Sequence, residues 1–452
     1  MFGGESRRTH RGGREGLIMG VSDINRRFLH FAAPSIVGML IVSFQIMIDG
    51  LFVSSGVGVL GLAAVNISMP LVNVLMSVAV MIVSGGIVIC GIAQGQGRDE
   101  LVRGYTTLTL IVCVVTLTLL SVLILIFLKD ICYLLGSDDE VYPYVRTYLG
   151  ILSGAVVFYI IPNYTEAFTR LAGKPNKVFT SGVICCVVNV VLDYFFIMRF
   201  GWGMAGAAVA TCVANSTAAV VLAPNVRFGK LAGGWKEVGR IFYNGSSEML
   251  NSVSAAVAMF LFNLVLMDRI GSLGVAAMTI VYYINMVVNM SIYGLSQALY
   301  PLMSYELGAR NYQSIRALLV ISLKSSGAIG VSVFVVTQLL KRTLVSVFAS
   351  GNQELVALAI TAVSIVTTHY LISFVNIIGS SFHTAVERPV ESAVIALCRS
   401  LLFVSLPLFL LPHFIGDVGI WLAMPIAELL TLFISLSLYF KTLRRLRQKL
   451  DS

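Results

Sequence analysis

Twelve apolar stretches, each long enough to cross a bilayer as a helix, leave this chain few architectures. They run over 29–55, 62–94, 105–128, 143–169, 178–198, 203–226, 240–267, 273–306, 317–348, 355–384, 392–412 and 416–440. A helix spans the hydrocarbon core with about 20 such residues. The longer stretches are accommodated by tilt or by protruding ends. Ten-residue segments of alternating polarity are absent, which excludes a β-barrel reading. Composition agrees: 57% of the 452 residues are hydrophobic and 12% charged, against about 45–50% and about 25% in soluble domains. The expected fold is an all-α integral membrane protein of twelve transmembrane helices.

The net charge of +9 invites a nucleic-acid reading, but its distribution argues against one. Arg7, Arg8, Arg11, Arg14, Arg26 and Arg27 precede the first span. Arg227, Lys230, Lys236 and Arg240 fill the central loop, and Lys441, Arg444, Arg445, Arg447 and Lys449 follow the last span. With both termini and the central loop in the cytoplasm, about 23 of the 31 Lys and Arg lie inside, as the positive-inside rule requires. No cleavable signal peptide is evident. The first eighteen residues are polar and rich in Gly and Arg, so disorder is expected there, and Met19 offers an alternative start. The cysteines (Cys90, Cys113, Cys132, Cys185, Cys186, Cys212, Cys398) form no CxxC pair and read as small apolar packing residues.

The chain partly matches itself when displaced by 213 residues. Leu60-Gly61-Leu62-Ala63-Ala64 meets Leu273-Gly274-Val275-Ala276-Ala277, and Gly95-Gln96-Gly97-Arg98 meets Gly308-Ala309-Arg310-Asn311. Arg103 meets Arg316, Gly206 meets Gly419, and Lys174-Pro175 meets Arg388-Pro389 with one residue of slip. A repeat of six helices keeps the same orientation in both copies, so the copies are related by an axis along the membrane normal. The expected organisation is a polar tail (1–21), a first six-helix lobe (22–226), a basic linker (227–238), a second lobe (239–441) and a basic tail (442–452). Two pseudosymmetric lobes leave a central cavity, and substrate sites of such proteins lie near the midplane. Pro34, Pro70, Pro162, Pro301, Pro407 and Pro425 fall inside spans, where neighbouring helices satisfy the freed carbonyls.

Polar residues are scarce within the spans, so their placement is informative. An acid at bilayer depth costs roughly 2.5–3.5 kcal/mol on insertion scales, yet Asp49 sits inside the first span and Asp193 in the fifth. Asn189 precedes Asp193 by one helical turn, and Ala207 precedes Thr211 by the same interval, so each pair shares a face. Two carboxylates, an amide oxygen, a hydroxyl and a backbone carbonyl make an oxygen-rich site for Na⁺. The same carboxylates could instead hold a proton. The second lobe lacks this set, with Phe262 at the repeat position of Asp49 and Leu406 or Pro407 at that of Asp193. It carries Glu248, His369, Arg399 and Glu428 instead, a candidate second polar site. Glu248 is expected near a helix start, either solvated and stabilised by the dipole or acting as a ligand. Arg399 is expected to pair with an acid, for which Glu428 is available. Gln45, Phe158, Tyr159, Asn163, Tyr282 and Tyr283 are candidate lining residues of a cavity for flat amphipathic molecules.

Gly56-Val57-Gly58-Val59-Leu60-Gly61 fits the GxGxxG pattern but joins two membrane spans and follows no strand, so it is a connection and not a dinucleotide fingerprint. No Walker A sequence, HExxH or Ser/His/Asp arrangement is present, and no enzymatic activity is expected.

With these residues in place, the sequence resembles the multidrug and toxic compound extrusion (MATE) family, in its DinF-like branch, from about residue 20 to 445. The marks are Pro34 with Asp49, the run GVGVLGLAAVNISMP (Gly56 to Pro70), the loop around Gly95, and NVVLDYFFIMRFGWGMAGAAVAT (Asn189 to Thr211). The resemblance implies alternating access and export of amphipathic, often cationic compounds in exchange for Na⁺ or H⁺. It also implies that Asp49, Asn189, Asp193, Ala207 and Thr211 form the coupling site. In the other bacterial branch acids of the second lobe take part. Glu248 fits that pattern, whereas His369 stands where that branch has an acid. The expected setting is the inner (plasma) membrane, with both termini cytoplasmic, a monomer, no cofactor beyond the coupling ion and no nucleic-acid partner. Two rival readings are a lipid-linked oligosaccharide flippase of the same superfamily and a non-transporting membrane scaffold or receptor.

Overall fold

A computed structural model describes residues 21–348 and 353–451, with side chains described over 24–346 and 353–448. Arg7, Arg8, Arg11, Arg14 and Met19, and the side chain of Lys449, lie outside the described residues. Among those described there is no strand. Eleven helices are long and apolar enough to cross a membrane, and a bent pair, Tyr142–Gly154 and Val156–Leu171, makes the twelfth span.

The first lobe contains α1 (Val21–Gly56), α2 (Val59–Gly95), α3 (Asp99–Ile126), a short α4 (Leu128–Leu134), the bent pair α5 (Tyr142–Gly154) and α6 (Val156–Leu171), α7 (Pro175–Asp193) and α8 (Gly203–Leu222). The second contains α9 (Trp235–Arg269), α10 (Ser272–Gly308), α11 (Tyr312–Phe348), α12 (Gln353–Val366), α13 (Tyr370–Ala385), α14 (Pro389–Leu397), α15 (Phe403–Ile415) and α16 (Val418–Asp451). The repeat is visible in the backbone. Gly58 and Gly271 both stand before a 37-residue helix with positive φ, 92° and 82°. Side chains rarely adopt that conformation, which is why both turns carry glycine. α7 and α14 both begin on a proline, whose missing N–H costs nothing in the first turn. Each then runs into a π-helical turn, Tyr194–Arg199 in the first lobe and Cys398–Leu402 in the second.

Two boundaries differ from the sequence reading. The helical chain enters the second lobe at Trp235 rather than after residue 238. The expected C-terminal tail is a continuation of α16 to Asp451; its Lys and Arg keep helical spacing and extend the helix beyond the apolar part. The fourth span is broken by 53° after Gly154, at Ala155. The candidate loop at Gly56–Gly61 is a two-residue connection between α1 and α2.

Alternate crossing of twelve spans places the start of α1, the ends of α2, α6, α8 and α10 and the start of α9 at one end of the molecule, here the tail end. The lobes meet there backbone to backbone. A Cβ added at Gly85 of α2 would lie 1.9 Å from the Ile241 carbonyl oxygen of α9. One added at Gly245 of α9 would lie 1.7 Å from the Met81 carbonyl oxygen of α2. Gly95 and Gly308 make the matching approach between α2 and α10, at 2.0 Å from the Tyr305 oxygen and 2.1 Å from the Ile92 oxygen. Arg27 of α1 bonds Glu306 of α10 across the same seam at 2.9 Å and lies over the Tyr305 ring. The lobes are therefore shut at the tail end.

Candidate functional site

In the first lobe α1 packs against α7, and α7 against α8. This brings Asp49 of α1 within hydrogen-bonding reach of Asp193 at the end of α7. Asn189, one turn before Asp193, is fully buried beside it. Four polar atoms here are buried with no partner: Asp49 Oδ1, Asp193 Oδ2 and both the oxygen and the nitrogen of Asn189. Buried polar atoms are nearly always satisfied, so four orphans in one place mark a site built for something else. Tyr148 of α5 and Tyr159 of α6 lie close enough to sense the Asp49 charge.

α8 carries Ala207 and Thr211 one turn apart. The Ala207 carbonyl accepts the Thr211 hydroxyl at 3.0 Å and keeps a second lone pair. The thread continues, with Asn215 Nδ2 donating to the Thr211 carbonyl at 2.9 Å. Asn215 Oδ1 lies 4.0 Å from Cys185 Sγ, and Cys185 in turn contacts Gln45 of α1. The sequence reading missed Asn215 and took Cys185 only as a packing residue. The interval from Ala207 to Thr211 to Asn215 was the available signal, since all three fall on one face of α8. Among the described residues no group of three His, Cys, Asp or Glu side chains could hold a metal. Two carboxylates with amide and hydroxyl oxygens are hard donors, suited to Na⁺ rather than to a transition metal.

The second lobe separates what the sequence grouped together. His369, Arg399 and Glu428 line one cavity of about 530 Å³, with Tyr282, Asn251 and Asn289 among its other walls. Arg399 Nε donates to Glu428 Oε1, forming the pair anticipated from sequence. Asn376 Nδ2 donates to Glu428 Oε2 at 2.6 Å, and Ser435 donates to Asn376 Oδ1 at 2.7 Å. His369 Nδ1 bonds the Val366 carbonyl at 2.6 Å, which leaves Nε2 as an acceptor. Glu248 stands apart from this group. It lies deep in α9, buried, and accepts the Tyr300 hydroxyl at 2.6 Å. The expected place near a helix start is corrected, because α9 begins at Trp235, several turns earlier; burial removes the solvated alternative for Glu248 and leaves the ligand alternative open.

Next to Tyr300, between the lobes, a small cavity of about 40 Å³ is lined by Asn163, Glu166, Arg170, Tyr293 and Gln297. Glu166 and Arg170 form a 3.0 Å ion pair on α6, and Arg170 Nε is buried without a partner. The sequence reading passed over this pair, although Glu-x-x-x-Arg inside an apolar span is the spacing of a helix ion pair. Of the candidate lining residues, Tyr282 and Asn163 line the two cavities. Phe158 is 60% exposed and lies in a shallow apolar groove between α6 and α8. Tyr283 is half-exposed and lies outside the second-lobe cavity lining.

A family model described as MatE matches residues 34–195 and again 249–408, one copy in each lobe. The chain belongs to the MatE family. It is 25% identical over 438 residues to a FAD transporter of Shewanella oneidensis, covering 92% of this chain and 94% of that one. It is 23% identical over 428 residues to the multidrug export protein MepA of Staphylococcus aureus, covering 90% and 91%. The fold matches the Vibrio cholerae MATE transporter VcmN, solved as a point mutant, with a TM-score of 0.89 at 20% identity over 94% of this chain and 98% of that one. A multidrug resistance MATE transporter solved in an outward-facing conformation gives 0.89 at 19% identity, over 96% and 99%. This MATE protein is accordingly a multi-pass membrane transporter and not an enzyme.

Proposed function

We propose that this MATE protein exports amphipathic, often cationic compounds from the cell across the plasma membrane by exchange with Na⁺ or H⁺, as a monomer with both termini in the cytoplasm. The observation that carries the reading is the facing pair Asp49 and Asp193, with the orphaned Asn189 beside it. Two acids and an unsatisfied amide at membrane depth are costly unless a cation or proton occupies them. With the tail end in the cytoplasm, the lobes are shut inward and the protein faces outward.

The cycle follows from differential affinity. Na⁺ or H⁺ enters from outside and binds at Asp49 and Asp193, with Asn189 and Thr211 offering further oxygens to Na⁺. The buried charge is neutralised, α1 shifts against α7, and a cationic substrate loses its counter-charge and leaves. The lobes then rock, the ion departs inward, and the bare carboxylates again favour a cationic substrate. Exchange requires only that each ligand bind the two states unequally. The two named relatives differ in cargo, FAD in one and multiple drugs in the other, so similarity at this level leaves the cargo open. The flippase reading has less support, because the cavity-lining arginines Arg170 and Arg399 each carry an acid partner. A pyrophosphate would need a net positive field.

The test is efflux of a fluorescent cationic dye from proteoliposomes, with Na⁺ and pH gradients imposed separately. Flux should follow one gradient and vanish in Asp49→Asn, while that variant inserts and folds normally. Gradient-driven flux intact in Asp49→Asn would refute the coupling role.

A further inference from the structure

The seam at the tail end has two sides that the repeat makes equivalent. On one side α1 meets α10, on the other α9 meets α2, and α2 meets α10 between them. The chain itself breaks this symmetry. The connection from α8 to α9 crosses between the lobes on the α2–α9 side. Among the described residues no segment of chain joins the lobes on the α1–α10 side.

This connection is seated on the first lobe for most of its length. Lys174, just before α7, donates to Asn225 Oδ1 at 3.1 Å. The Thr107 hydroxyl of α3 accepts the Gly229 N–H at 3.2 Å and donates to the Gly229 carbonyl at 3.0 Å. The strap then lies flat on α3. A Cβ added at Gly229 would stand 2.6 Å from Arg103 Cβ, and one added at Gly104 would stand 2.3 Å from Ala232 Cβ. Since α9 begins at Trp235, only Gly233 and Gly234 separate the Ala232 contact from the first helical residue of the second lobe. Both are exposed, and Gly233 has φ of 90°. Such short, unconfined positions absorb the backbone rotation of a hinge.

α9 in turn is fastened to the second lobe by side chains. Arg240 Nη2 and Asn244 Nδ2 both donate to Glu387 Oε1, and the Ser247 and Thr384 hydroxyls bond each other at 2.9 Å. Glu387 occupies the repeat position of Gly173, with φ of 59° against 78°. A side chain persists in that left-handed region where its surroundings over-determine it, and here its carboxylate grips α9. Toward α2, by contrast, α9 makes close approaches of main chain at Ile241 and Gly245. When the lobes part, α9 travels with the second lobe. Its start still cannot travel far, because three residue steps of extended chain reach about 10–11 Å. While the strap stays on α3, Trp235 stays within that distance of Ala232. The α1–α10 side carries no such limit.

We infer that Gly233 and Gly234 are the pivot of lobe opening and the strap on α3 its leash, so that the tail end opens wide between α1 and α10 and narrowly between α2 and α9. The inference rests on the alternating access of the export reading, since it concerns how the lobes part. Molecules passing at this end would pass on the α1–α10 side.

Two measurements on the full-length protein, in a background lacking the native cysteines, test this. In the first, Arg103→Cys/Lys230→Cys is bridged by a bifunctional methanethiosulfonate, which staples the strap to α3, and dye flux is followed in proteoliposomes. Flux is expected to match that of the unbridged protein, whereas bridging Arg27→Cys/Glu306→Cys on the other side is expected to abolish it. Flux lost on stapling would mean that the strap must peel away. Flux that survives the bridge between positions 27 and 306 would mean that opening needs no parting there. Either result overturns the inference.

The second measurement reads distances between spin labels by double electron–electron resonance and needs no flux. Labels at Glu100→Cys/Lys236→Cys report the strap side, and labels at Asn25→Cys/Gln313→Cys the other; all four positions are exposed. Gly95→Val loosens the closed seam midway, because a Cβ there lies 2.0 Å from the Tyr305 carbonyl oxygen of α10. In that variant the distance between positions 25 and 313 is expected to lengthen about twofold more than that between 100 and 236, since displacement grows with distance from a pivot and packed helices stand about 8–10 Å apart. Equal lengthening on both sides, or more on the strap side, overturns the inference. Asymmetric opening in a protein without gradient-driven flux would count against the export reading while leaving the pivot standing.

Discussion

At the scale of single residues, the informative feature is the set of buried polar atoms without partners. Asn189 is fully buried, and neither its oxygen nor its nitrogen is satisfied. Leaving a buried polar group unpaired costs about 1–3 kcal/mol, and the cost is recovered when a ligand supplies the missing contacts. Asn189→Leu should therefore make the ion-free protein more heat-stable and, where Na⁺ is the proposed coupling ion, remove the stabilisation that added Na⁺ gives the wild type. Thermal unfolding followed by a thiol-reactive fluorophore in choline and sodium buffers checks this. A variant stabilised by Na⁺ as strongly as the wild type would exclude Asn189 from the ion site. Thr211→Val makes a weaker case, since its hydroxyl already donates to the Ala207 carbonyl. Only its acceptor capacity is lost to the ion, so the expected loss of Na⁺ affinity is smaller than for Asn189→Leu in the same titration.

At the scale of helices, the glycines of α2 and α9 decide how the lobes close. A Cβ at position 245 would overlap the Met81 carbonyl, and this neighbour is backbone that cannot swing aside. Overpacking of this kind costs about 1–3 kcal/mol, which would fall on the state closed at the tail end. Gly245→Val should raise the labelling rate of a Ser304→Cys probe, buried in the closed seam, by about 10-fold. The assay uses a small maleimide in a background lacking the native cysteines. Unchanged labelling would mean that the seam opens by another route. The same elements show which parts of the structure the sequence made legible. Hydropathy located the spans because the bilayer imposes one length on all of them, and the matching runs that begin at Leu60 and Leu273 marked the repeat. The break at Ala155 had no local signal, since α5 and α6 read as one apolar run. Phe158 and Tyr159 are adjacent, yet one lies in an exposed groove and the other near Asp49. Only the helix rotation tells them apart. The Asp49, Asn189 and Asp193 cluster was legible because charge and amide are rare in spans. The separation of Glu248 from His369, Arg399 and Glu428 was not, because it depends on depth in α9 and on packing against Tyr300.

At the scale of the whole molecule, closure joins α1 of one lobe to α10 of the other through Arg27 and Glu306. Replacing both by cysteine, in the same cysteine-free background, should give a thiol pair that a bifunctional methanethiosulfonate reagent bridges, stopping transport, with activity restored by reductant. Full activity of the demonstrably cross-linked protein would rule out parting of the lobes at this end as a required step. The rest of the seam, where α2 meets α9 and α10, is different in kind. Its closest backbone approaches are main chain against main chain at Gly85, Gly95, Gly245 and Gly308, and these four contacts present no side chain to protonate, oxidise or modify. In the proposed orientation, the chemistry of the cytoplasm therefore has few handles on this latch. In the proposed cycle, permission to open arrives from across the membrane, written in the occupancy of a few oxygens near Asp49, and the door itself stays deaf to the room behind it.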